Sequence, residues 1–359
     1  MATSCWGDVC ILGPWAEYEA TGDLGVLARH YPTMKRFLHA AQWWSHLFSI
    51  RKDRRMIWKY PFHFGDWTAP DTTTRGWLNR GPWIATAYFS RSCDVVAQIS
   101  DLLGYLPEGA HYRALRDRAR SAYRNVFTDG SGTLAKPFQS AYVLPLAFHM
   151  TEGEETAAMA RNLVSLIDEA DGHLATGFPA TPYILFSLSD NGHLEDAYRL
   201  LLQQSAPSWL YMTENGGTTT WERWDALRPD GTVNTVDLAT GKDNGKGGMV
   251  SFNHYAAGAV GMWLYRRMVG IEPVEGGYKR FRVAPMPGGG VTEARAATRT
   301  PYGRVSAAWR ITADNTFHLD IEVPVSTQAD VVLPDGTAYQ AASGTHTYAC
   351  ALPKGGEQR

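Results

Sequence analysis

Apolar residues recur at helical spacing through the first two thirds of the chain. Met34, Phe37, Leu38, Ala41, Trp44 and Phe48 repeat three and four apart, and Pro32 ahead of them suits a first helical turn. Ile11, Leu12, Trp15 and Tyr18 predict a helix before that one. From Trp83 to Leu103 the pattern runs through Ile84, Ala87, Tyr88, Cys93, Val96 and Ile99. The stretch His111 to Phe127 is charged on one face and carries Tyr112, Leu115, Ala119, Ala122 and Val126 on the other. Further helices are predicted over 138–150, 154–169, 178–190, 192–205 and 252–269. Gly22-Asp23, Gly104, Asp129-Gly130, Gly153, Asp171-Gly172 and Asn191-Gly192 punctuate them. Hairpins of similar length in succession predict an α/α toroid, with a generic helical bundle as the alternative. The long, aromatic-rich loops favour the toroid, because such loops gather at one rim and carry function.

The pattern changes near Glu272-Pro273. Segments 281–285, 303–311, 316–324, 329–334 and 346–350 alternate in polarity and carry β-branched residues. Turns such as Asp314-Asn315 and Pro334-Asp335-Gly336 separate them. They predict a small β-sandwich of roughly 80 residues, a size at which such a module folds. The chain therefore reads as mainly α with a β domain: a helical-hairpin, toroid-like domain over 1–271 and a β-sandwich over 272–359. The tail from Pro353 to Arg359 is polar and expected to be loose.

Composition narrows the function classes. The formal net charge is −2 and no basic run of five or more occurs, so no nucleic-acid partner is expected. No apolar stretch is long enough to span a bilayer, so no membrane partner is expected either. Cys5, Cys10, Cys93 and Cys350 are scattered without metal-ligand spacing, and no metal or cofactor is expected. The first residues lack the basic and apolar regions of a signal peptide, which favours a cytoplasmic location. The unusual feature is the aromatic content: 13 Trp, 17 Tyr and 13 Phe suit either a carbohydrate cleft or a large helical core.

The candidate chemistry centres on Gly216-Gly217-Thr218-Thr219-Thr220-Trp221-Glu222-Arg223-Trp224-Asp225. It sets one carboxylate, Glu222, between the indoles of Trp221 and Trp224. Aromatic planes cover the apolar C–H faces of a sugar ring, and a lone acid beside them can orient a water or take a proton. The plain alternative is a core Trp pair beside a solvated Glu.

Five segments in order extend this reading. They are Cys5-Trp6-Gly7-Asp8 with Pro14-Trp15; His63-Phe64-Gly65-Asp66-Trp67-Thr68-Ala69-Pro70; Gly172 to Phe178 with Thr181-Pro182-Tyr183; Pro207 to Met212 running into the Glu222 stretch; and Ser251 to Ala256. Together they resemble the C-terminal part of the bacterial α-L-rhamnosidases, glycoside hydrolase family 78. The resemblance implies an (α/α)6 barrel followed by a β-sandwich, a small carbohydrate substrate and inverting hydrolysis of terminal α-L-rhamnosides. Glu222 matches the family's catalytic base. Trp6 and Trp67 match tryptophans that wall the sugar ring, and His254 matches a histidine that contacts it. Asp8 and Asp66, beside those tryptophans, are expected to bond rhamnose hydroxyls; the alternatives are a helix cap for Asp66 and a satisfied buried imidazole for His254.

Two departures qualify the resemblance. The family's general acid lies in a segment ahead of the Trp-Gly-Asp motif, and this chain begins after it, so the acid is expected upstream. With it go the first hairpins, and the exposed seam would be covered by a second copy or another chain, so a homo-oligomer is one expectation. The other departure is the Gly-, Lys- and Asp-rich stretch 235–248, longer than the family suggests. A fragment that binds sugar without turnover is the second reading. A six-hairpin enzyme for uronic acids is the third, and it would need Arg223 and Arg228 facing a substrate carboxylate.

Overall fold

A computed structural model describes residues 3–47, 56–59, 63–238, 240–246 and 248–352. Phe48 of the predicted second helix and the tail from Pro353 lie outside the described residues, as do Ala239 and Gly247 of the long loop. The chain divides into two compact units, Met1–Leu12 with Tyr31–Val260, and Gly13–His30 with Gly261–Arg359.

The helices, in order, are α1 (Val9–Thr21), α2 (Leu24–Leu47), α3 (Thr74–Asn79), α4 (Gly81–Leu102), α5 (Leu106–Phe127), α6 (Gln139–Ala147), α7 (Gly153–Glu169), α8 (Ile184–Ser189), α9 (Leu194–Leu201), α10 (Trp209–Glu214), α11 (Tyr255–Gly258) and α12 (Val260–Trp263). Within the first unit, α4 packs on α5, α6 on α7 and α8 on α9, giving three hairpins. One helix of each forms the inner row, α4 packing on α6 and α6 on α8. Sequence explains which helix lies inside. Helix α8 is apolar or small all round and buries all six residues, and α6 buries Gln139 to Leu146 without a gap. Helix α5 buries only a stripe, including Tyr112, Leu115, Ala119 and Ala122, and leaves Arg118 and Arg124 exposed on the other face. Gly104, at φ 79°, makes the three-residue turn from α4 to α5; a Cβ there would meet open space, so only the left-handed backbone calls for glycine.

Several helix boundaries differ from the pattern: α5 begins five residues before His111, and α9 ends at Leu201. Helix α2 begins at Leu24, before Pro32, because Asp23 Oδ1 accepts the Gly25 N–H at 2.7 Å and caps it there; Pro32 lies inside the helix. The predicted helix over 178–190 is a single 3-10 turn, Thr181–Tyr183, leading into α8, since the residues before it are held in an extended crossing with Trp67. The predicted helix over 252–269 is broken into α11, α12 and a π turn, Leu264–Met268, around Gly258 and Gly261. Helices α3 and α10, six residues each, are too short to leave a periodic signal.

The second unit holds two four-stranded sheets. One has the order β1 (Ile271–Pro273), β2 (Arg280–Val283), β6 (Gln328–Val332), β7 (Ala338–Ala341), with β2 and β6 parallel. The other runs β3 (Glu293–Thr300), β4 (Gly303–Ile311), β5 (Thr316–Val323), β8 (Gly344–Ala351), all antiparallel. Alternation places Val305, Ala307 and Trp309 of β4 and Phe317, Leu319 and Ile321 of β5 in one core with Phe281, Val283 and Val331. Strands β1, β3 and β7 escaped the polarity pattern: β3 carries Ala, Arg and Thr and is nowhere fully buried. Helix residue Glu19 joins this unit through a 3.1 Å pair with Arg266.

Candidate active site

Three loops of the first unit and the short helix α11 meet at one narrow recess, whose enclosed volume is only about 10 Å3. Thr68 comes from the 63–70 loop; Thr176, Phe178 and Thr181 from the loop into α8; Trp221, Glu222 and Trp224 from the long loop after α10; and Ala256 and Ala257 from α11. Three of the sequence candidates, Glu222, Trp221 and Trp224, thus share one wall. Trp221 is 2 % exposed and packs edge-on against Phe252 at 5.6 Å, while Trp224 packs edge-on against Trp209 at 5.4 Å.

Glu222 is half-buried and is held by the segment that returns at Ser251. Its N–H donates to the Ser251 carbonyl at 2.8 Å, and its Oε2 accepts the Ser251 N–H at 3.2 Å. The same pairing continues to His254, whose N–H donates to the Thr220 carbonyl at 2.8 Å and whose carbonyl accepts from Thr220 Oγ1 at 2.7 Å. A charged acceptor with a backbone donor is a pre-set group that keeps its orientation. Among the described residues lining the recess, Glu222 is the one carboxylate.

His254 stands behind Phe178, the two rings stacked at 4.7 Å and 30°. Its Nδ1 accepts the Ala256 N–H at 3.3 Å and so caps α11. A ring whose Nδ1 accepts carries its proton on Nε2, which leaves that nitrogen as a donor. Trp6 and Trp67 meet through Phe64, with centroids 4.9 and 5.6 Å from it, and Trp67 continues to Trp77 at 5.1 Å.

Asp8 and Asp66 are placed differently from the expectation. Both are 0 % exposed, and protein donors occupy their oxygens, so the positions expected to meet sugar hydroxyls are filled from within the chain. Asp8, just before α1, accepts the Cys5 N–H on Oδ2 at 2.6 Å and the Ser92 hydroxyl on Oδ1. Asp66 accepts from Ser140 Oγ at 2.8 Å, Gly177 N–H at 3.0 Å and Arg80 Nη1 at 3.0 Å. Burial pushes each carboxyl up to about 6; hydrogen bonds from Ser92 and Cys5 pull Asp8 partly back, and the Arg80 charge does the same for Asp66.

The arginines of the uronic-acid reading are also engaged elsewhere. Arg223 is 5 % exposed and forks onto Asp225, Nε to Oδ1 at 2.6 Å and Nη2 to Oδ2 at 3.0 Å, with Nη1 on the Val236 carbonyl at 2.6 Å. Arg228 reaches Asn234 Oδ1 at 3.5 Å and Asp243 at 3.8 Å. Both fasten the long loop, and neither lines the recess. Thr68, Thr176, Phe178 and Thr181 were within the motif segments, yet small hydroxyls and a single Phe carry no signal that separates recess from core.

Residues 1–268 match the family model of the bacterial alpha-L-rhamnosidase 6 hairpin glycosidase domain. The chain belongs to this family. Residues 270–348 match the C-terminal domain of the same rhamnosidases. Among relatives, an alpha-L-rhamnosidase of Streptomyces avermitilis is 39% identical over 330 residues, which is 92% of this chain and 29% of that protein. One from Formosa agariphila is 36% identical, over 92% of this chain and 34% of its own length. The chain thus spans about a third of the relatives it matches. Among solved structures, the Streptomyces avermitilis alpha-L-rhamnosidase complexed with L-rhamnose matches with a TM-score of 0.85 and 35% identity, over 97% of this chain and 33% of that one. An alpha-L-rhamnosidase from Aspergillus terreus also gives 0.85, at 33% identity, over 97% and 39% of the two chains. Hairpins followed by a two-sheet β domain are therefore the rhamnosidase arrangement, as the resemblance implied.

Proposed function

We propose that this rhamnosidase-family site acts on terminal α-L-rhamnosides with inversion at the anomeric carbon. The observation that carries the reading is Glu222, fixed by Ser251 on a recess wall it shares with two indoles. In this reading Glu222 takes a proton from a water whose oxygen bonds to the anomeric carbon. The bond to the leaving oxygen breaks on the opposite face, and that oxygen takes a proton from a second carboxyl. Inversion asks for roughly 6.5–9.5 Å between the two carboxyls, room enough for the water. The family resemblance assigns the second one to a segment preceding Trp6. Trp224 offers an apolar face to the sugar, Trp221 backs it from the core, and the resemblance adds Trp6 and Trp67 as further apolar faces and His254 Nε2 as a donor. On this reading 1–271 is the glycosidase-like part and 272–359 the accessory β part.

A second reading is favoured by Glu222 being the one carboxylate among the described residues lining the recess: the chain binds the sugar without turning it over. Release of p-nitrophenol from its α-L-rhamnoside, together with L-rhamnose titration, separates the two. Turnover that falls roughly 100- to 10,000-fold in Glu222→Gln supports Glu222 as the base. Turnover equal to wild type removes Glu222 from that role. Rhamnose binding without turnover selects the second reading.

A further inference from the structure

The mechanism above leaves Asp66 without a task, although it is an enclosed carboxylate beside the recess loops. Its surroundings assign one. Oδ1 accepts two donors from distant parts of the chain, Ser140 Oγ on α6 and the Gly177 N–H ahead of α8. Oδ2 takes Arg80, whose fork also closes on Asp71 at 2.8 and 2.6 Å and whose guanidinium lies 4.4 Å over Phe138. The next rung of the crossing is backbone, Phe178 N–H to the Trp67 carbonyl at 2.9 Å. The crossing is tight. A Cβ on Gly177 would stand 2.5 Å from the Trp67 carbonyl oxygen and 2.6 Å from the Asp66 carbonyl. Phe178, so held, lines the recess and stacks on His254.

We propose that Asp66 is a positioning residue for the sugar recess: its carboxylate locks the Gly177-Phe178 segment onto the 66–67 turn, and so sets Phe178 against His254. The inference rests on the rhamnoside reading for its ligand and on geometry alone for the positioning. Burying a carboxylate is unfavourable unless donors repay it, and three donors from three segments converge here. The oxygens are used up internally, so Asp66 acts through Phe178 rather than on the sugar. A displacement of about 1 Å in a group that shapes a site is enough to cost up to roughly 100-fold in function.

The test uses the full 359-residue chain, titrated with L-rhamnose and followed by tryptophan fluorescence, alongside amide hydrogen exchange at Gly177 and Phe178. Asp66→Ala removes every side-chain bond. Asp66→Asn keeps a carbonyl oxygen for Ser140 and Gly177 and gives up only the Arg80 pair. Positioning predicts L-rhamnose binding weaker by roughly tenfold or more in Asp66→Ala and within about threefold of wild type in Asp66→Asn, with faster exchange at the two amides only in the former. A residue that merely stabilises the fold would lower stability in both variants and leave binding and exchange alike. Wild-type affinity and exchange in Asp66→Ala overturn the proposal. If Asp66→Ala does not fold, Gly177→Ala replaces it, since its Cβ pushes the turn off Trp67 with Asp66 intact; unchanged binding and Phe178 exchange there overturn the proposal equally. If the wild-type chain binds no L-rhamnose, the rhamnoside reading fails by itself. The exchange pattern then decides the positioning: faster in Asp66→Ala than in Asp66→Asn upholds it, and no difference sinks it.

Discussion

Ser251 and Glu222 hold each other twice, once through the Glu222 N–H and the Ser251 carbonyl at 2.8 Å, and once through the Ser251 N–H and Glu222 Oε2 at 3.2 Å. The long loop leaves the recess at one of these residues and returns at the other. The orientation of the proposed base therefore depends on how that loop closes.

Replacing Ser251 with Pro deletes the N–H that the carboxylate accepts. A hydrogen bond to a charged group contributes about 1.5–3 kcal/mol, so turnover of an aryl rhamnoside is expected to fall roughly tenfold or more. L-rhamnose binding should hold. Ser251→Ala, which keeps the N–H, should behave as wild type in a steady-state assay; equal losses in both variants would count against the backbone donor.

Arg223 closes the same loop from inside. Its fork onto Asp225 and its bond to the Val236 carbonyl are joined by Asn234, which donates to Asp225 Oδ2 at 2.7 Å and accepts the Val236 N–H at 3.1 Å. Arg223→Gln should cost roughly 1 kcal/mol in urea unfolding, because the buried guanidinium's bonds to half-buried acceptors are lost. Limited proteolysis should then cut within 225–248 faster than in wild type. Unchanged cleavage with lowered stability would mean that Arg223 supports the fold but not the loop.

Asp8 gives a pH dependence with a definite sign. Burial raises its carboxyl from 3.8 to about 6, so the folded state holds the proton more tightly than the unfolded state does. Its unfavourable contribution is absent below about 4, grows as pH rises, and is complete above about 6, where it reaches roughly 3 kcal/mol. In Asp8→Asn the side-chain oxygen can keep the Cys5 N–H and the amide can donate to Ser92. The melting temperature of the variant should therefore gain on wild type between pH 4 and 6 and stay level above that window. A constant difference across the range would rule out titration of Asp8 there.

Much of the fold was readable along the chain. Helices α4 to α7 and α9 follow apolar residues three and four apart, and Gly104, Gly153 and Gly192 mark their turns. Strands β4 and β5 follow strict alternation, which is why Trp309 and Phe317 reach the core. Strand β3 did not announce itself, since its backbone is held by ladder bonds to β4 while its Ala and Thr side chains are nowhere fully buried. Glu222 was readable because the two indoles that share its wall are its neighbours in sequence.

The sequence by itself determined the hairpins, the strictly alternating strands and the carboxylate between two tryptophans, because periodicity, turn chemistry and adjacency are properties of nearby residues. The tertiary structure alone decided which acids face the recess and which are enclosed. Asp66 meets donors 74 and 111 positions away, and Asp8 meets Ser92 across 84. Arg223 is withdrawn from any ligand by a loop that folds back on it. A carboxylate or guanidinium has the same local pattern whether it waits for a substrate or for the protein's own donors, and only the closing of distant segments determines which it meets.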